Sequence, residues 1–548
     1  MEGKKLKFPN DIIAGLIGAI AIIPDGMASG VMARLSPVNG VYSAVSGLII
    51  GSWTSNSVYM SITTTSALAL ATGSALQAFP ENQKLAGVVT LTIFTGILQV
   101  LMGMLKMGFL VRFVSNAVMR GLLSGIAILI VLSQIADLTG NYQKEFEHKV
   151  LNSWYALLDY QNYNLYTIGV ALATMLLIIL IEKTRFKNYA IFISLVVVTV
   201  LITILTIPEI KIVGDDFTIP TSLPKLNIPQ IDLLPGLFFS SFAISLIGFI
   251  QSVGVSHMVT NPSGDYPQDS KDLLGQGITN IGAGMLSGFP VGGSLAQTSL
   301  IVKAGAQSRW TNFLSGIFAG LLVMLLSKTI ELIPMACFAA ILILTGINTI
   351  KLPEIRLIWQ TGWQSRLVMI FTFLATMAVS VQLAVLISMV VTFILHVVRS
   401  SNKVFVRAVV REGNKLAETD IPLKLEPDTV LSIQPYGSLF FAGAIVLRDL
   451  LPETEHANRS VVIINMRGRS EIGSSFIKVI KKYSESLDAK NSKMMLIEVS
   501  DSVFEQLKRT QILDYMGKED IIKENRILGE ALNKAWDEAE KWIKNKKS

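Results

Sequence analysis

Ser61-Ile-Thr-Thr-Thr-Ser66, running into Ala67–Gly73, and Gly288-Phe-Pro-Val-Gly-Gly-Ser-Leu-Ala-Gln-Thr298 are the segments that decide the fold. Each lies among long apolar runs, yet each is too short and too polar to cross a bilayer alone. Both read as extended chain entering a half-helix, with Ser, Thr or Gly at the cap position. Unwound backbone at membrane depth is tolerated only where protein or a wet cavity covers its N–H and C=O groups. The alternative is a pair of short buried helices with Gly-rich packing. Their near-equivalent ordinal positions, third of seven and tenth of fourteen apolar segments, favour half-helices.

Outward from these segments, residues 1–400 carry 41 Asp, Glu, Lys or Arg, and the last 148 carry 46. A soluble domain is about 25% charged, so the first part cannot be solvated in the usual way and the second can. Thr167–Ile181, Ala190–Ile207 and Phe238–Ile250 lack charge altogether and reach or approach the ~20 residues that span a ~30 Å hydrocarbon core. Fourteen spans are predicted, near 11–32, 38–54, 66–79, 84–106, 112–136, 164–182, 189–206, 236–258, 272–288, 295–304, 308–328, 331–349, 365–380 and 382–399. With a cytoplasmic start, eighteen Lys or Arg fall on the inner side and seven on the outer, as the positive-inside rule requires. That places residues 1–10 and the tail in the cytoplasm of a cell whose plasma or inner membrane holds the multi-pass part. Met1–Asn10 is short and basic, with no signal-peptide cleavage pattern after it.

Composition excludes several classes. The single cysteine, Cys337, permits no disulfide within the chain and no cysteine metal cluster. The four histidines, at 148, 257, 396 and 456, have no paired spacing, so no metal site is expected. No nucleophile–base pair or P-loop is present, so neither an enzyme nor a cofactor is expected. The net charge of +7 is mostly membrane-flanking, without a basic stripe interleaved with aromatics; nucleic-acid binding is not expected. Half-helix N-termini in corresponding places of two halves point instead to a membrane transporter's site, where free N–H groups and dipoles favour an anion.

Several motifs add to that reading. Asp11-Ile-Ile-Ala-Gly15 followed by Pro24-Asp-Gly-Met-Ala28 resembles the D-x-x-A-G then P-Q-x-M-A of the sulfate permease (SulP) anion transporters. Gly40-Val-Tyr42 resembles their G-L-Y, and Asp272-Leu-Leu-Gly-Gln-Gly-Ile-Thr-Asn280 their E-L-x-x-x-G-x-x-N. Pro290-Val-Gly-Gly-Ser294 and Ala304-Gly-Ala306 resemble their tenth-span region. The resemblance implies a polytopic α-helical membrane protein of two inverted seven-span repeats, about 11–206 and 236–399, forming core and gate domains. It also implies an elevator-like step of core against gate, and a homodimer in the lipid bilayer.

The tail agrees. Thr429–Ile433, Leu439–Ala442, Val461–Asn465 and Met494–Val499 read as strands, and Ser474–Leu487, 501–510 and 523–545 as helices. Alternation of this kind means an α/β layer structure, and it resembles the STAS domain that SulP proteins carry. The expected division is a transporter domain at 11–400, a linker at 401–424 and a STAS domain at 425–548. The family's Asp-Ser-Thr turn, phosphorylated in some relatives, corresponds to Gly473-Ser474-Ser475. Ser474 and Ser475 are thus candidate regulatory residues, where a cytosolic regulator would act. Without the acidic residue, the simpler role for Ser474 is a helix cap.

Carried over position by position, the resemblance implies a substrate site made of Asp25, Ser29, Thr65, Ser66, Gln251, Ser294, Ala296 and Gln297. Three positions depart from the family pattern. The first-span Gln is Asp25, the eighth-span carboxylate is Gln251, and the Ser-Arg pair at the tenth-span helix start is Ala296-Gln297. The site thereby loses a cation and keeps one carboxylate, moved to another helix. An ionisable group near mid-membrane is a functional hypothesis by default, which makes Asp25 the proton-coupling candidate; the alternative is a solvated Asp25, or one paired with Arg34. Asp11 is expected to cap its own helix, and His257 to be interfacial. The expected function is secondary transport of a small inorganic anion (sulfate, bicarbonate or chloride-like) or a small carboxylate. The alternatives are a nucleobase or ascorbate transporter of the same architecture, which usually lacks the tail, and a membrane-anchored STAS signalling protein.

Overall fold

Helices begin where a short polar side chain meets an apolar run. Ser36 starts α2, Ser115 starts α5 and Asn164 starts α8, each accepting from a backbone N–H of the first turn that has no partner within the helix. The computed structural model describes residues 8–109, 115–141, 149–205, 207, 210–217, 224, 226–265, 267–401, 405–412, 415–437, 439 and 441–547. It divides into two units, Met1–Thr392 and Phe393–Ser548.

In the first unit the helices run α1 (Phe8–Met32), α2 (Pro37–Thr54), α3 (Ser66–Ala75), α4 (Glu81–Met104), α5 (Asn116–Ser133), α6 (Ile135–Thr139) and α7 (Lys149–Leu158). There follow α8 (Leu165–Glu182), α9 (Ala190–Leu205), α10 (Val213–Asp216), α11 (Leu234–Ser256), α12 (Asp269–Met285) and α13 (Leu295–Lys303). The last are α14 (Trp310–Leu325), α15 (Ser327–Glu331), α16 (Met335–Thr349), α17 (Leu352–Thr361), α18 (Trp363–Ala378) and α19 (Val381–Ser401), the boundary of the units falling within α19. Two short strands, β1 (Ile62–Thr63) and β2 (Gly292–Gly293), precede α3 and α13. Among the described residues, seven helices are long and apolar enough to cross a membrane, and Ser66–Ala75, Trp310–Leu325 and Val381–Leu395 are shorter apolar ones.

Each expected span has a helix within it. The short helices α6, α7, α10, α15 and α17 lie between spans and were not expected. Of the residues used to orient the chain, Lys4, Lys5, Lys7, Arg112, Lys144, Lys225 and Lys403 lie outside the described residues, as does His148.

Glycine sets how closely the spans approach. A Cβ on Gly96 of α4 would stand 2.5 Å from the Gly277 carbonyl oxygen of α12, and one on Gly277 would stand 2.6 Å from that of Gly96. A Cβ on Gly40 of α2 would meet the Gly26 oxygen of α1 at 1.8 Å. The helices fall into two groups by packing. In one, α4 packs on α12 and α11, α1 on α2 and α14, and α2 on α12 and α14. In the other, α5 packs on α16 and α18, and α8 on α9 and α16.

The second unit holds a six-stranded sheet ordered β4 (Lys415–Thr419), β3 (Phe405–Glu412), β5 (Val430–Tyr436), β6 (Val461–Asn465), β7 (Lys493–Val499) and β8 (Ile521–Lys523). β3 is antiparallel to both neighbours, and β5 to β8 are parallel. Its helices are α20 (Phe441–Leu450), α21 (Ser474–Asp488), α22 (Asp501–Arg509), α23 (Ile512–Met516) and α24 (Glu530–Lys547). Ala444, Leu447, Phe476, Ile480, Val503 and Leu507 join one core; Ala531, Ala535 and Ala539 of α24 join another with Val461 and Ile463. Asp428 is held down at about 2 by hydrogen bonds from Arg459 and Lys547.

Three details differ from the sequence reading. Leu439–Ala442 is not a strand: Phe441 begins α20, whose Ala444 and Leu447 face inward at helical spacing, and so short an apolar run fits either period. Residues 401–424, expected as a linker, contain β3 and β4. Residues 523–545 are not one helix, since Lys523 ends β8 and α24 starts at Glu530, after Gly529 at φ 82°.

Gly277→Leu tests the closest helix crossing. Overpacking costs about 1–3 kcal/mol or more, and here the clash is with backbone, so detergent-solubilised protein should melt several degrees lower; an unchanged Tm would contradict the packing.

Candidate functional site

The two half-helix starts are built alike. Thr65, extended at φ −136° and ψ 147°, accepts from the Leu68 N–H to cap α3, and Ser294, at φ −98° and ψ 114°, accepts from the Gln297 N–H to cap α13. The chain before each cap forms β1 and β2, which pair antiparallel with Ile62 opposite Gly293 and Thr63 opposite Gly292. The Ser294 N–H donates to the Ser61 oxygen at 2.9 Å, and the Ser61 N–H donates to Thr298 Oγ1 at 3.0 Å. Gly293 donates to Ser252 Oγ of α11 at 2.8 Å, and a Cβ there would stand 2.8 Å from Ser252 Cα, so only glycine fits.

Buried amides hold the second extended stretch. Asn280 Oδ1 accepts from the Val291 N–H at 2.7 Å, while Asn280 Nδ2 and Gln276 Nε2 donate to the Val291 oxygen at 3.1 and 3.0 Å. Gln99 Oε1 accepts from Asn280 Nδ2 at 2.8 Å, and Gln99 Nε2 donates to the Ser245 oxygen at 3.1 Å. The sequence reading missed Gln99 and Gln276 as positioning residues. The available signal is an amide in an otherwise apolar span, for which a buried polar group needs a partner.

Contacts along α1 orient both half-helices. A Cβ on Gly73, near the end of α3, would lie 3.0 Å from the Met32 oxygen. Gln297 Nε2 donates to the Gly18 oxygen at 3.0 Å, and the Gln307 N–H, beyond the end of α13, donates to Asp11 Oδ1 at 2.8 Å. α3 and α13 thus run in opposite senses along α1. Their starts meet beside its middle, between Gly18 and Met32, where Pro24 and Asp25 stand. Pro24 has no N–H to donate back along the helix, so α1 lacks one of its own backbone hydrogen bonds at this level.

The expected site residues take up different places. Thr65 Oγ1 donates to Gln251 Oε1 at 3.0 Å, which joins α3 to α11. Ser66 is half-buried, Ser294 is buried and Ala296 is exposed. Gln297 is buried with its amide turned to Gly18, away from the open end of α13. Asp25 is half-buried, and no hydrogen bond or ion pair reaches its carboxyl among the described residues; Arg34 is exposed and makes no ion pair with it. Ser29, one turn further along α1, is buried. No Lys or Arg belongs to α3 or to the first turn of α13.

Asp11 does not cap its own helix. It lies within α1, buried, and accepts from the Gln307 and Ser308 N–H groups and from the Ser308 and Thr311 hydroxyls at 2.6–3.2 Å. Asp272 of α12, also buried, accepts from the Ser55 hydroxyl and from the N–H and hydroxyl of Ser57 at 2.6–2.9 Å. Between the two carboxylates Arg309 donates to the carbonyls of Ser52, Ser55 and Asn56 at the end of α2. The turn after α13 and the turn before β1 are therefore braced to one another. His257 is exposed, with Nε2 2.8 Å from Asp269 Oδ1. In the second unit the cap position of α21 belongs to Gly473, so Ser474 is the first helical residue rather than a cap.

Comparisons with known proteins bear on the same regions. The model of the sulfate permease family matches residues 8–372, and that of the STAS domain residues 422–525. The putative sulfate transporter YvdB of Bacillus subtilis is 25% identical over 522 residues, covering 94% of this chain and 96% of its own, and sulfate transporter 1.1 of Arabidopsis thaliana is 25% identical over 550 residues, covering 94% of this chain and 84% of its own. Among solved structures, SLC26A9 superposes with a TM-score of 0.85 at 18% identity, covering 97% of this chain and 90% of its own. The transmembrane domain of BicA, a cyanobacterial bicarbonate transporter, superposes with a TM-score of 0.60 at 22% identity, covering 71% of this chain and 97% of its own. The chain belongs to the sulfate permease family, as a multi-pass membrane anion transporter with a C-terminal STAS domain.

Proposed function

We propose that the chain is a secondary transporter that carries one small anion between the starts of α3 and α13, with Asp25 coupling its passage to a proton. The observation that carries this reading is the meeting of two capped half-helix starts beside the middle of α1. Each start presents free N–H groups and about half a unit of positive charge, and neither has a cation to add. That charge suits a monovalent anion, such as bicarbonate, chloride or a small carboxylate. A divalent anion such as sulfate would keep part of its hydration or enter with a proton.

The charge balance gives Asp25 its role. An ionised carboxylate about 5 Å from a bound anion opposes it by about 3 kcal/mol at an effective dielectric of ~20; the neutral acid does not. Anion and proton therefore bind together. The helices around the half-helix starts, α1, α2, α4, α11, α12 and α14, pack as one group beside the group of α5, α8, α16 and α18. The first group is the moving core of an elevator-type cycle and the second its gate. Two copies form the working dimer in the cell membrane. The STAS domain lies on the cytoplasmic side, where Ser474 and Ser475 serve a regulator.

Uptake of labelled bicarbonate, sulfate, chloride and small carboxylates into liposomes tests the reading, with competition among them naming the substrate. For the carried anion, uptake should rise as external pH falls. Asp25→Asn should keep binding and flatten that profile; an unchanged profile would make Asp25 a structural or solvated group.

The site itself is tested from the other side. Ala296→Phe should abolish uptake while leaving Tm near that of the parent protein, because Ala296 is exposed at the helix start. Gln251→Glu should place a second carboxylate against Thr65 and lower uptake at neutral pH by tenfold or more, with recovery in acid. Full activity of either variant at pH 7 would move the anion elsewhere.

A further inference from the structure

α17 has ten residues, about 15 Å of helix, too little to cross a bilayer. It joins the ends of α16 and α18, so it lies along the membrane interface rather than through it. Ile355 and Ile358 face inward and pack with Val118, Val368 and Met369. Glu354, the helix's one acidic side chain, forms an ion pair with Arg120 of α5.

Among the described residues the opposite side has no such packing or ion pair. At 100° per residue, Leu352, Pro353, Arg356, Leu357 and Gln360 share the outward face, and these five line an open groove of about 290 Å³. Leu352 is 70% exposed and Leu357 59%. Lys351 and Arg356 are exposed, and neither has a hydrogen-bond or ion-pair partner among the described residues. Arg366 lies 5.5 Å from the centroid of the Trp359 ring, and Trp359 and Trp363 are themselves exposed. Arg356 among the exposed leucines and Lys351 at the start of the helix, with exposed tryptophans at its end and at the start of α18, match a ligand that is anionic at one end and apolar at the other. Tryptophan favours the headgroup level of a bilayer, and a cation there is drawn to anionic lipid.

We propose that the outward face of α17 binds an anionic phospholipid. Lys351 and Arg356 hold its phosphate, and its acyl chains run past Leu352 and Leu357. Because α17 connects two spans of the group packed around α5, the bound lipid ties that group to one depth in the membrane.

The test uses full-length protein carrying Trp359 and Trp363 as its only tryptophans, reconstituted with brominated phosphatidylglycerol or brominated phosphatidylcholine. The anionic lipid should quench their fluorescence at a markedly lower mole fraction, with a preference of about fivefold for each cation. K351Q/R356Q should bring the two lipids to near equality while retaining anion uptake in neutral-lipid liposomes, which shows that it folds. Millimolar glycerol phosphate should leave the quenching unchanged. Equal quenching of the parent by both lipids, or a preference that survives in K351Q/R356Q, would overturn the proposal. Displacement by glycerol phosphate would assign the face to a soluble anion. Quenching by neither lipid would mean that another part of the chain covers it.

Discussion

Everything in the membrane unit follows from the need to satisfy backbone groups where water is scarce. Residues 61–65 and 289–294 are not helical, and a polar group left unpaired in an apolar medium costs several kcal/mol. The two segments answer this by pairing with each other, Ile62 with Gly293 and Thr63 with Gly292, and by drawing further hydrogen bonds from Ser252, Gln276, Asn280 and Thr298. The pairing sets the two half-helix starts at one level. The anion site proposed above follows from this, because the same N–H groups that have no helical partner at each start are the ones a negative ligand can use.

The rest of the first unit keeps that crossing in register. Asp11 and Asp272 each spend a buried carboxylate on backbone N–H and hydroxyl donors rather than on a cation. Such hydrogen bonds to an ionised acceptor are about twice as strong as neutral ones. Together with Arg309 they bind the turn at residues 307–309 to the turn at residues 52–57. Gly26, Gly40, Gly96 and Gly277 let α1, α2, α4 and α12 approach until backbone meets backbone. In the proposed elevator cycle the moving body needs that rigidity, since a site displaced by an ångström loses its geometry. At the proposed site charge would come from dipoles rather than from side chains, which leaves Asp25 as the ionisable group to change it in that reading.

The spans are legible in the sequence because charge-free runs such as Thr167–Ile181 and Ala190–Ile207 have no other stable environment. The half-helices are legible through Thr65 and Ser294, whose cap chemistry is local. The strand pair that joins them is not, because Ile62 and Gly293 lie more than two hundred residues apart and each strand is two residues long. Gln297 also reads as a site residue from its position, yet its amide finds the Gly18 carbonyl, which only the packing of α13 on α1 makes available. Asp11 reads as a cap by its place in the chain and instead serves the Gln307–Ser308 turn from a distance. In the tail, β3 and β4 escape notice because Phe405–Glu412 and Lys415–Thr419 are rich in charge, and the pairing of β3 with β5 and of β4 with β3 supplies the order that their own pattern lacks.

Locating a heavy anion tests the central claim most directly. The protein is imaged at high resolution with bromide, or with selenate should sulfate prove to be the substrate, at acid pH and again at alkaline pH. The account predicts one anion within hydrogen-bonding distance of the backbone N–H groups at the starts of α3 and α13, present in acid and weakened or lost in alkali, and retained at both pH values in Asp25→Asn. An anion bound at a cluster of Lys or Arg side chains, with the two half-helix starts empty at both pH values, would contradict it.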